Sequence, residues 1–197
     1  MIVLDIETSG LSKTKCGIWQ IGAIDLENPK NYFLQEARID QDDLIEEGAV
    51  KGHGKNEEYL RNPGQQSQKQ LLENFFGWME NRSFKNFLCQ NPQFDVGWIE
   101  VKAEKYSLHI PFHRRSFDLH TAAQIIYHQK HKKFLIKNDR SDMDLTNILS
   151  FVGMQDNRKE HNALEDCKLT AECFSRLLDG KNLFPEYSEF KIPDYLK

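Results

Sequence analysis

The first ten residues combine a strand that should be buried with two acidic side chains. The apolar run at residues 1–4 predicts a strand enclosed on both faces. Asp5 and Glu7 interrupt it, and because side chains alternate along a strand, both carboxylates should point to the same side. Two such carboxylates repel each other and raise at least one pKa unless a cation lies between them. These residues alone fit a divalent-cation site and a strand end exposed to solvent equally well.

Length and composition favour one soluble domain. The 197 residues suit a single domain, and a hydrophobic content of 39% with 13 Phe supplies a core. No apolar run approaches the roughly 18 residues of a membrane span, so we expect no membrane association. No basic, apolar leader precedes Met1, which favours a cytoplasmic protein. The four cysteines form no CxxC pair, and we expect reduced thiols that are neither zinc ligands nor disulfides.

The net charge constrains how the chain could bind nucleic acid. A formal charge of -4 argues against a protein that binds nucleic acid by charge alone. If four carboxylates belonged to one metal site, the remaining formal charge would be zero. The basic runs at 113–115 and 130–133 could then meet phosphates, although a basic loop is more often a solvated surface.

The hydrophobic pattern predicts a mixed α/β fold. Alternation predicts strands at 19–25 and 31–39, which with the first strand form an antiparallel meander, and short strands at 84–89 and 117–119. Apolar residues spaced three and four apart predict helices at 67–81, 96–106, 121–128, 144–152 and 163–178. Residues 40–64 should form a loop with one short helix, and residues 130–141 a mobile loop. We expect a three-stranded meander extended by parallel strands, with helices on both faces.

Asp95 ends the segment NPQFD, residues 91–95, between a predicted strand and a predicted helix. In open sheets with helices on their faces, ligand sites gather beyond the carboxyl ends of strands, which is where Asp95 would lie. Asp95 also fits the N-cap of the following helix, and on its own this is the more common role. Both interpretations remain open from this segment alone.

The last predicted helix carries a further acidic candidate. Asn162 begins a capping arrangement, which places Asp166 just after the first turn, where the helix dipole favours an anion. The neighbours of Asp166 on the helix are the small residues Ala163 and Thr170, which suits a metal ligand that must approach a strand. His161 lies in the preceding loop and could reach such a site, although a lone loop histidine is usually a polar surface residue.

Together, three segments resemble the motifs of the DEDDh exonucleases. They are DIETSG with Asp5 and Glu7, NPQFD with Asp95, and HNALED with His161 and Asp166. This ribonuclease-H-like family includes the epsilon proofreading subunit of bacterial DNA polymerase III, ribonuclease T and oligoribonuclease. A histidine five residues before the last aspartate is typical of the histidine branch. The resemblance predicts an exonuclease domain over residues 1–178, followed by an extended C-terminal tail over 179–197.

The resemblance implies a two-metal phosphodiesterase that removes nucleotides from 3′ ends and releases nucleoside 5′-monophosphates. By this resemblance Asp5 bridges two Mg²⁺ or Mn²⁺ ions, Glu7 and Asp166 complete the first site, and Asp95 holds the second. Two such ions stabilise the attacking and leaving oxygens and lower the pKa of the attacking water. His161 would take the proton of that water.

The resemblance also implies a substrate site, formed by Thr8, Gly10, Leu11, His53 and Phe94. Phe94 fits a core position equally well, and stacking of an aromatic ring on the last base would tolerate any sequence. We expect the partner to be a nucleic-acid 3′ end, first of all single-stranded or frayed DNA, with a polymerase or repair protein as a candidate partner. The alternatives are an exoribonuclease or oligoribonuclease and, less favoured because all five motif residues are present, a non-catalytic binding module.

Overall fold

The strand that carries Asp5 and Glu7 lies at the centre of the sheet in a computed structural model that describes residues 1–197. This strand, β1 (Ile2–Thr8), pairs antiparallel with β2 (Ile18–Asp25), and β2 pairs antiparallel with β3 (Tyr32–Glu36). On its other side β1 pairs parallel with β4 (Phe87–Cys89), which pairs parallel with β5 (Phe117–Asp118). The order β3-β2-β1-β4-β5 confirms the predicted meander and its parallel extension.

Helices cover both faces of the sheet, as predicted. They are α1 (Glu47–His53), α2 (Glu57–Leu60), α3 (Gln68–Glu80), α4 (Pro92–Lys105), α5 (Leu119–His131), α6 (Leu145–Phe151) and α7 (Ala163–Asp179). Alternate residues of β1 enter different cores: Leu4 packs with α3 and α4, whereas Val3 packs with α5, α6 and α7. Asp5 and Glu7 share the side of Val3 and therefore face α7. None of the helices has both the length and the apolar composition needed to cross a membrane.

Two loop predictions are corrected by the structure. Residues 40–64 contain α1 and α2 where one short helix is predicted. Residues 130–141 form the end of α5 and a hairpin of β6 (Ile136–Lys137) with β7 (Arg140–Ser141). Asn138 and Asp139 adopt positive φ angles of 51° and 59°, which suits a two-residue hairpin turn. Both hairpin strands are exposed, so no alternation of apolar residues marks them in the sequence.

Several element boundaries also differ from the prediction. Strand β4 begins at Phe87, so residues 84–86 lie outside it. Helix α4 begins at Pro92, four residues before the predicted start, because Pro92 occupies the first helical turn, where its missing N–H is tolerated. Asp95 consequently lies inside the first turn of this helix and not in the loop before it.

The C-terminal residues 180–197 fold back on the protein, which corrects the predicted extended conformation. They contain two 3₁₀ turns, Pro185–Tyr187 and Asp194–Leu196. A buried ion pair on α7, Arg176 Nε to Glu172 Oε1 at 2.7 Å, anchors them. Glu172 accepts hydrogen bonds from the backbone N–H groups of Leu183 and Phe184, and Arg176 donates to the Tyr187 carbonyl. Phe184 is buried in the same core as α7.

All four cysteines are buried free thiols. Burial raises the pKa of the Cys89 and Cys167 thiols well above the ordinary value. Both thiols are therefore protonated at neutral pH and behave as small apolar core residues.

Candidate active site

Asp5 and Glu7 lie on β1 under the start of α7. Asp5 pairs across the strands with Gly22, and Glu7 pairs with Gln20. Burial raises the pKa of Asp5 well above its ordinary range, and the nearby carboxylates of Asp95 and Asp166 raise it further. Burial also raises the pKa of Glu7 to about 7. Both side chains are buried in low-dielectric surroundings, and the nearby positive charge does not offset the cost of ionising them. The sequence predicts raised pKa values for two such carboxylates without a cation between them.

Asp95 is buried beside this pair, with 5% of its surface exposed. It comes near β1 because α4 follows β4 directly and β4 runs parallel to β1. Burial raises the pKa of Asp95 to about 7, against the opposing effect of backbone hydrogen bonds that include one from Ile6. The helix-cap interpretation of Asp95 is wrong, because Asn91 occupies the N-cap position.

Asp166 lies in the first turn of α7 and is 4% exposed. The Asn162 side chain caps this helix, as predicted, by accepting hydrogen bonds from the backbone N–H groups of Leu164 and Glu165 at 3.1 and 3.2 Å. The backbone N–H of Ala163 donates to the Gln20 side chain at 2.8 Å. This bond fixes the start of α7 to β2.

His161 lies between Glu7 and Asp166. One potential ligand atom from each of these three residues lies within 4.8 Å of the other two. The Nδ1 atom of His161 is 3.4 Å from Asp166 Oδ2, and the imidazole is 53% exposed. The hydrogen bond with Asp166 raises the pKa of His161 above its ordinary value. The structure thus brings together all five motif residues from three separate segments of the chain.

Three cavities include His161 in their lining, and two of these also include a motif carboxylate. The larger, of about 810 Å³, is mostly polar, and its lining includes Asp5, Asp166, Arg158 and Gln90. The smaller, of about 440 Å³, is lined in part by Glu7. All five predicted substrate residues line this smaller cavity: Thr8, Gly10, Leu11, His53 and Phe94. Neither basic run, 113–115 or 130–133, lines either cavity.

The side chains that line the smaller cavity differ in how exposed they are and in what they contact. Leu11 is 77% exposed, whereas Phe94 lines the cavity and also packs in part against the hydrophobic core. His53 is buried, and burial lowers its pKa, so its ring is neutral. Its Nδ1 accepts a hydrogen bond from the Lys55 backbone N–H at 3.0 Å, which assigns the proton to Nε2. The Nε2 atom is buried and has no hydrogen-bond partner in the protein.

Arg158 is the residue of this site that the sequence does not reveal. Its Nη1 donates to Asp166 Oδ1 at 2.9 Å, and its Nε and Nη2 bind Asp156 at 2.9 and 2.7 Å. The side chain is 12% exposed, and its hydrogen bonds to Asp156 hold the pKa of that carboxyl well below the ordinary range. In the sequence it stands in a polar loop with neighbouring charges, where nothing distinguishes it from a solvated surface residue.

A second acidic cluster, Asp40 with Asp42 and Asp43, is neutralised by lysines. Lys102 Nζ lies 3.2 Å from Asp43 in the interior, and Lys105 Nζ lies 2.8 Å from Asp40. In the cluster around β1, by contrast, several buried carboxylates lie near one arginine, Arg158, and one exposed histidine, His161, which neutralise them only in part. Its oxygen donors fit a hard divalent cation such as Mg²⁺ or Mn²⁺.

Comparison with known proteins connects this site to a family. A family model described as exonuclease, RNase_T, matches residues 2–174. The DNA polymerase III PolC-type of Caldanaerobacter subterraneus subsp. tengcongensis is 26% identical over 179 residues, which cover 90% of this chain. The match spans only 11% of the length of that polymerase.

Solved structures share the fold at low sequence identity. The nuclease domain of 3'hExo, a DEDDh family member bound to rAMP, matches with a TM-score of 0.69 at 16% identity, covering 98% of this chain and 95% of that one. Exonuclease I of E. coli in complex with a dT13 oligonucleotide matches with a TM-score of 0.69 at 15% identity, covering 89% and 40%. Cell-death related nuclease 4 matches with a TM-score of 0.67 at 17% identity, covering 92% and 64%. The solved structures show that the chain shares their fold, and the family match over residues 2–174 shows that it belongs to the RNase_T exonuclease family.

Proposed function

We propose that this chain hydrolyses the terminal phosphodiester bond at nucleic-acid 3′ ends with two divalent metal ions and releases nucleoside 5′-monophosphates. One observation carries the proposal: buried carboxylates from β1, α4 and α7 converge beside one imidazole. Asp5, Glu7, Asp95 and Asp166 would hold the ions. Bound Mg²⁺ or Mn²⁺ would supply stabilisation of the attacking and leaving oxygens and a lower pKa for the attacking water.

His161 is the proposed general base. Its Nδ1 faces Asp166 at 3.4 Å, so a proton on Nδ1 leaves Nε2 as the free acceptor of the neutral ring. The imidazole is half exposed and lines both cavities, so solvent water can reach it. In this position His161 would take the proton of the attacking water while Asp166 orients the ring.

The contrast between the two cavities supports a direction for the strand. The smaller cavity offers the apolar surface of Leu11 and Phe94. A base can stack on such apolar surface. The larger, polar cavity contains Arg158 and Lys159, which suits a sugar-phosphate backbone. We therefore place the terminal nucleotide in the smaller cavity and the rest of the strand in the larger.

Single-stranded or frayed DNA is the proposed substrate. The relative that is 26% identical is a DNA polymerase, and E. coli exonuclease I is solved with a dT13 oligonucleotide. The polymerase relative also supports a polymerase as partner. The 3'hExo domain, in contrast, is bound to rAMP, which supports an exoribonuclease as the second candidate. Rates on DNA and RNA oligomers of the same sequence separate the two, because direct contact with the 2′-hydroxyl distinguishes them.

Metal-dependent release of mononucleotides tests the proposal. Wild-type protein with Mg²⁺ should release nucleoside 5′-monophosphates from a single-stranded oligomer, and Asp5→Asn should reduce the rate at least about a thousandfold. Asp42→Asn is the matched control, since it removes the same charge from an exposed carboxylate outside both cavities. Full activity in excess chelator, or equal loss in both variants, would overturn the proposal.

A further inference from the structure

Arg158 is fixed along one edge of its guanidinium and points the other edge at the metal-ligand candidates. Its Nε and Nη2 bind the two oxygens of Asp156 at 2.9 and 2.7 Å. The Thr146 hydroxyl donates to Asp156 at 2.6 Å and accepts from Nη2 at 3.3 Å. The remaining nitrogen, Nη1, reaches Asp166 at 2.9 Å. The two-point contact with Asp156 anchors the guanidinium independently of Asp166.

Both oxygens of Asp166 therefore have a partner within the protein. Oδ1 accepts from Arg158, and Oδ2 faces His161 at 3.4 Å. A buried carboxylate that loses its only strong cation partner is left uncompensated, unless another cation takes its place. If Asp166 ligates a metal ion, as the proposed function requires, that ion must compete with Arg158. The guanidinium is thus the countercharge that the protein itself supplies to Asp166.

If a metal ion replaced Arg158 at Asp166, Asp156 would still hold the guanidinium at the wall of the larger cavity. Nη1 would then have no acceptor, and it would remain in the cavity that Asp5 and His161 also line. A nearly buried guanidinium with a free N–H edge matches the oxygens of a phosphate diester. The other cations of this cavity are less organised: Lys51, for example, is 73% exposed and pairs with a surface glutamate.

We propose that Arg158 binds a phosphate of the substrate strand and that it is held on Asp166 until divalent ions displace it. The proposal rests on the proposed function, because it assigns the phosphate to the exonuclease substrate. The effect of removing Arg158 on metal affinity distinguishes this proposal from a merely structural role. If Arg158 only orients Asp166, its removal lowers the affinity for the metal ion. If Arg158 competes with the ions, its removal strengthens the site.

The first measurement is Mn²⁺ binding without nucleic acid, by calorimetry or electron paramagnetic resonance. Arg158→Gln should bind Mn²⁺ about tenfold more tightly than wild type, since the competing charge is gone. Arg158→Lys keeps the charge and should stay within about threefold of wild type. Lys168→Gln, which removes an exposed positive charge from the surface of α7, should match wild type. Thermal unfolding of each variant establishes that it is folded.

The second measurement is kcat/KM on single-stranded oligothymidylate at saturating Mn²⁺. Arg158→Gln should lower kcat/KM about 10- to 100-fold, the value of a lost charge-assisted hydrogen bond, and Arg158→Lys should recover part of it. Unchanged or weaker Mn²⁺ binding by Arg158→Gln, or a kcat/KM within twofold of wild type, would overturn the proposal. Asp5→Asn separates the failures: if wild type binds Mn²⁺ no better than this variant, the proposed function fails as well. If only Arg158→Gln departs from expectation, the Arg158 proposal alone fails.

Discussion

Gly22 lies directly against Ala163, the first residue of α7. A methyl group at Gly22 would lie 2.3 Å from the Ala163 carbonyl carbon and 2.5 Å from the Leu164 backbone nitrogen. Gly22 also pairs across the sheet with Asp5. The absence of a side chain at this position therefore lets the start of α7 rest on the strand next to Asp5. Asp166, three residues further along α7, is brought to the acidic cluster by this contact.

Gly22→Ala should consequently destabilise the fold and displace Asp166. We expect a loss of about 1–3 kcal/mol in the free energy of unfolding, as for other overpacked interiors. Exonuclease activity should fall about 100-fold, because displacements of about 1 Å at a catalytic site have effects of this size. Urea unfolding and the rate of mononucleotide release measure the two effects. Gly77→Ala in α3 is the control: its methyl group meets no atom within 4 Å and should stabilise the helix by up to about 1 kcal/mol.

The metal-free protein should lose stability as the pH rises from 5 to 7. Burial raises the pKa of Glu7 and Asp95 to about 7, whereas the same groups titrate near 4 in the unfolded chain. Within this window the folded state holds protons that the unfolded state has released. The free energy of unfolding therefore falls with rising pH, by an amount on the order of a few kcal/mol.

Urea unfolding in excess chelator at pH 5.5 and pH 8 measures this dependence. Mn²⁺ should stabilise the protein more at pH 8, where these carboxylates are ionised and can bind it. Asp95→Asn should show a shallower dependence, because one of the titrating groups is gone. A stability that rises from pH 5.5 to pH 8 would contradict the burial of these carboxylates without a cation.

His161→Gln should lower kcat about 100-fold or more and leave Mn²⁺ binding intact, since the imidazole is proposed to act on water and not on the ions. The hydrogen bond with Asp166 raises the pKa of His161, so wild-type activity should rise with pH above the ordinary histidine range near 6.5. Rate profiles from pH 5.5 to pH 9 compare the two proteins. If the rate of His161→Gln rises with pH over the same acidic range as that of wild type, His161 is not the titrating base.

The sequence was sufficient for the parts of the site that depend on local pattern. Alternation along β1 placed Asp5 and Glu7 on one side, and the cap at Asn162 placed Asp166 in a first helical turn. These features follow from residues within one or two turns or strand steps of each other. Asp95 was placed at the correct strand end, but its helix began earlier than the apolar spacing indicated.

Other features depend on contacts between distant segments and left no local signal. Arg158 resembles a surface residue until Asp156 and Asp166 enclose it. Glu172 and Arg176 are charged residues in a helix, and their complete burial follows only from the return of the C-terminal segment. Burial of a charge is decided by tertiary packing, so a pattern of neighbouring residues could not predict it.

The return of the C-terminal segment provides a stability test that is separate from catalysis. Glu172→Ala should lower the free energy of unfolding by about 3–5 kcal/mol, because it leaves Arg176 buried without its partner. Under conditions in which the variant is folded it should still bind Mn²⁺, since Glu172 is not among the metal-ligand candidates. Glu186→Ala, which breaks an exposed ion pair with Lys168, should change stability by less than about 1 kcal/mol. Equal effects of the two substitutions would show that the segment does not pack as described.

The most direct test of the two-metal exonuclease account is a time course on a single-stranded DNA oligomer labelled at its 5′ end, with Mg²⁺ and with excess chelator. With Mg²⁺ the account predicts a ladder that shortens by one nucleotide at a time while the label stays on the remaining strand. With chelator the oligomer should stay intact. Immediate release of a labelled mononucleotide, internal fragments, or the same ladder in chelator would contradict it.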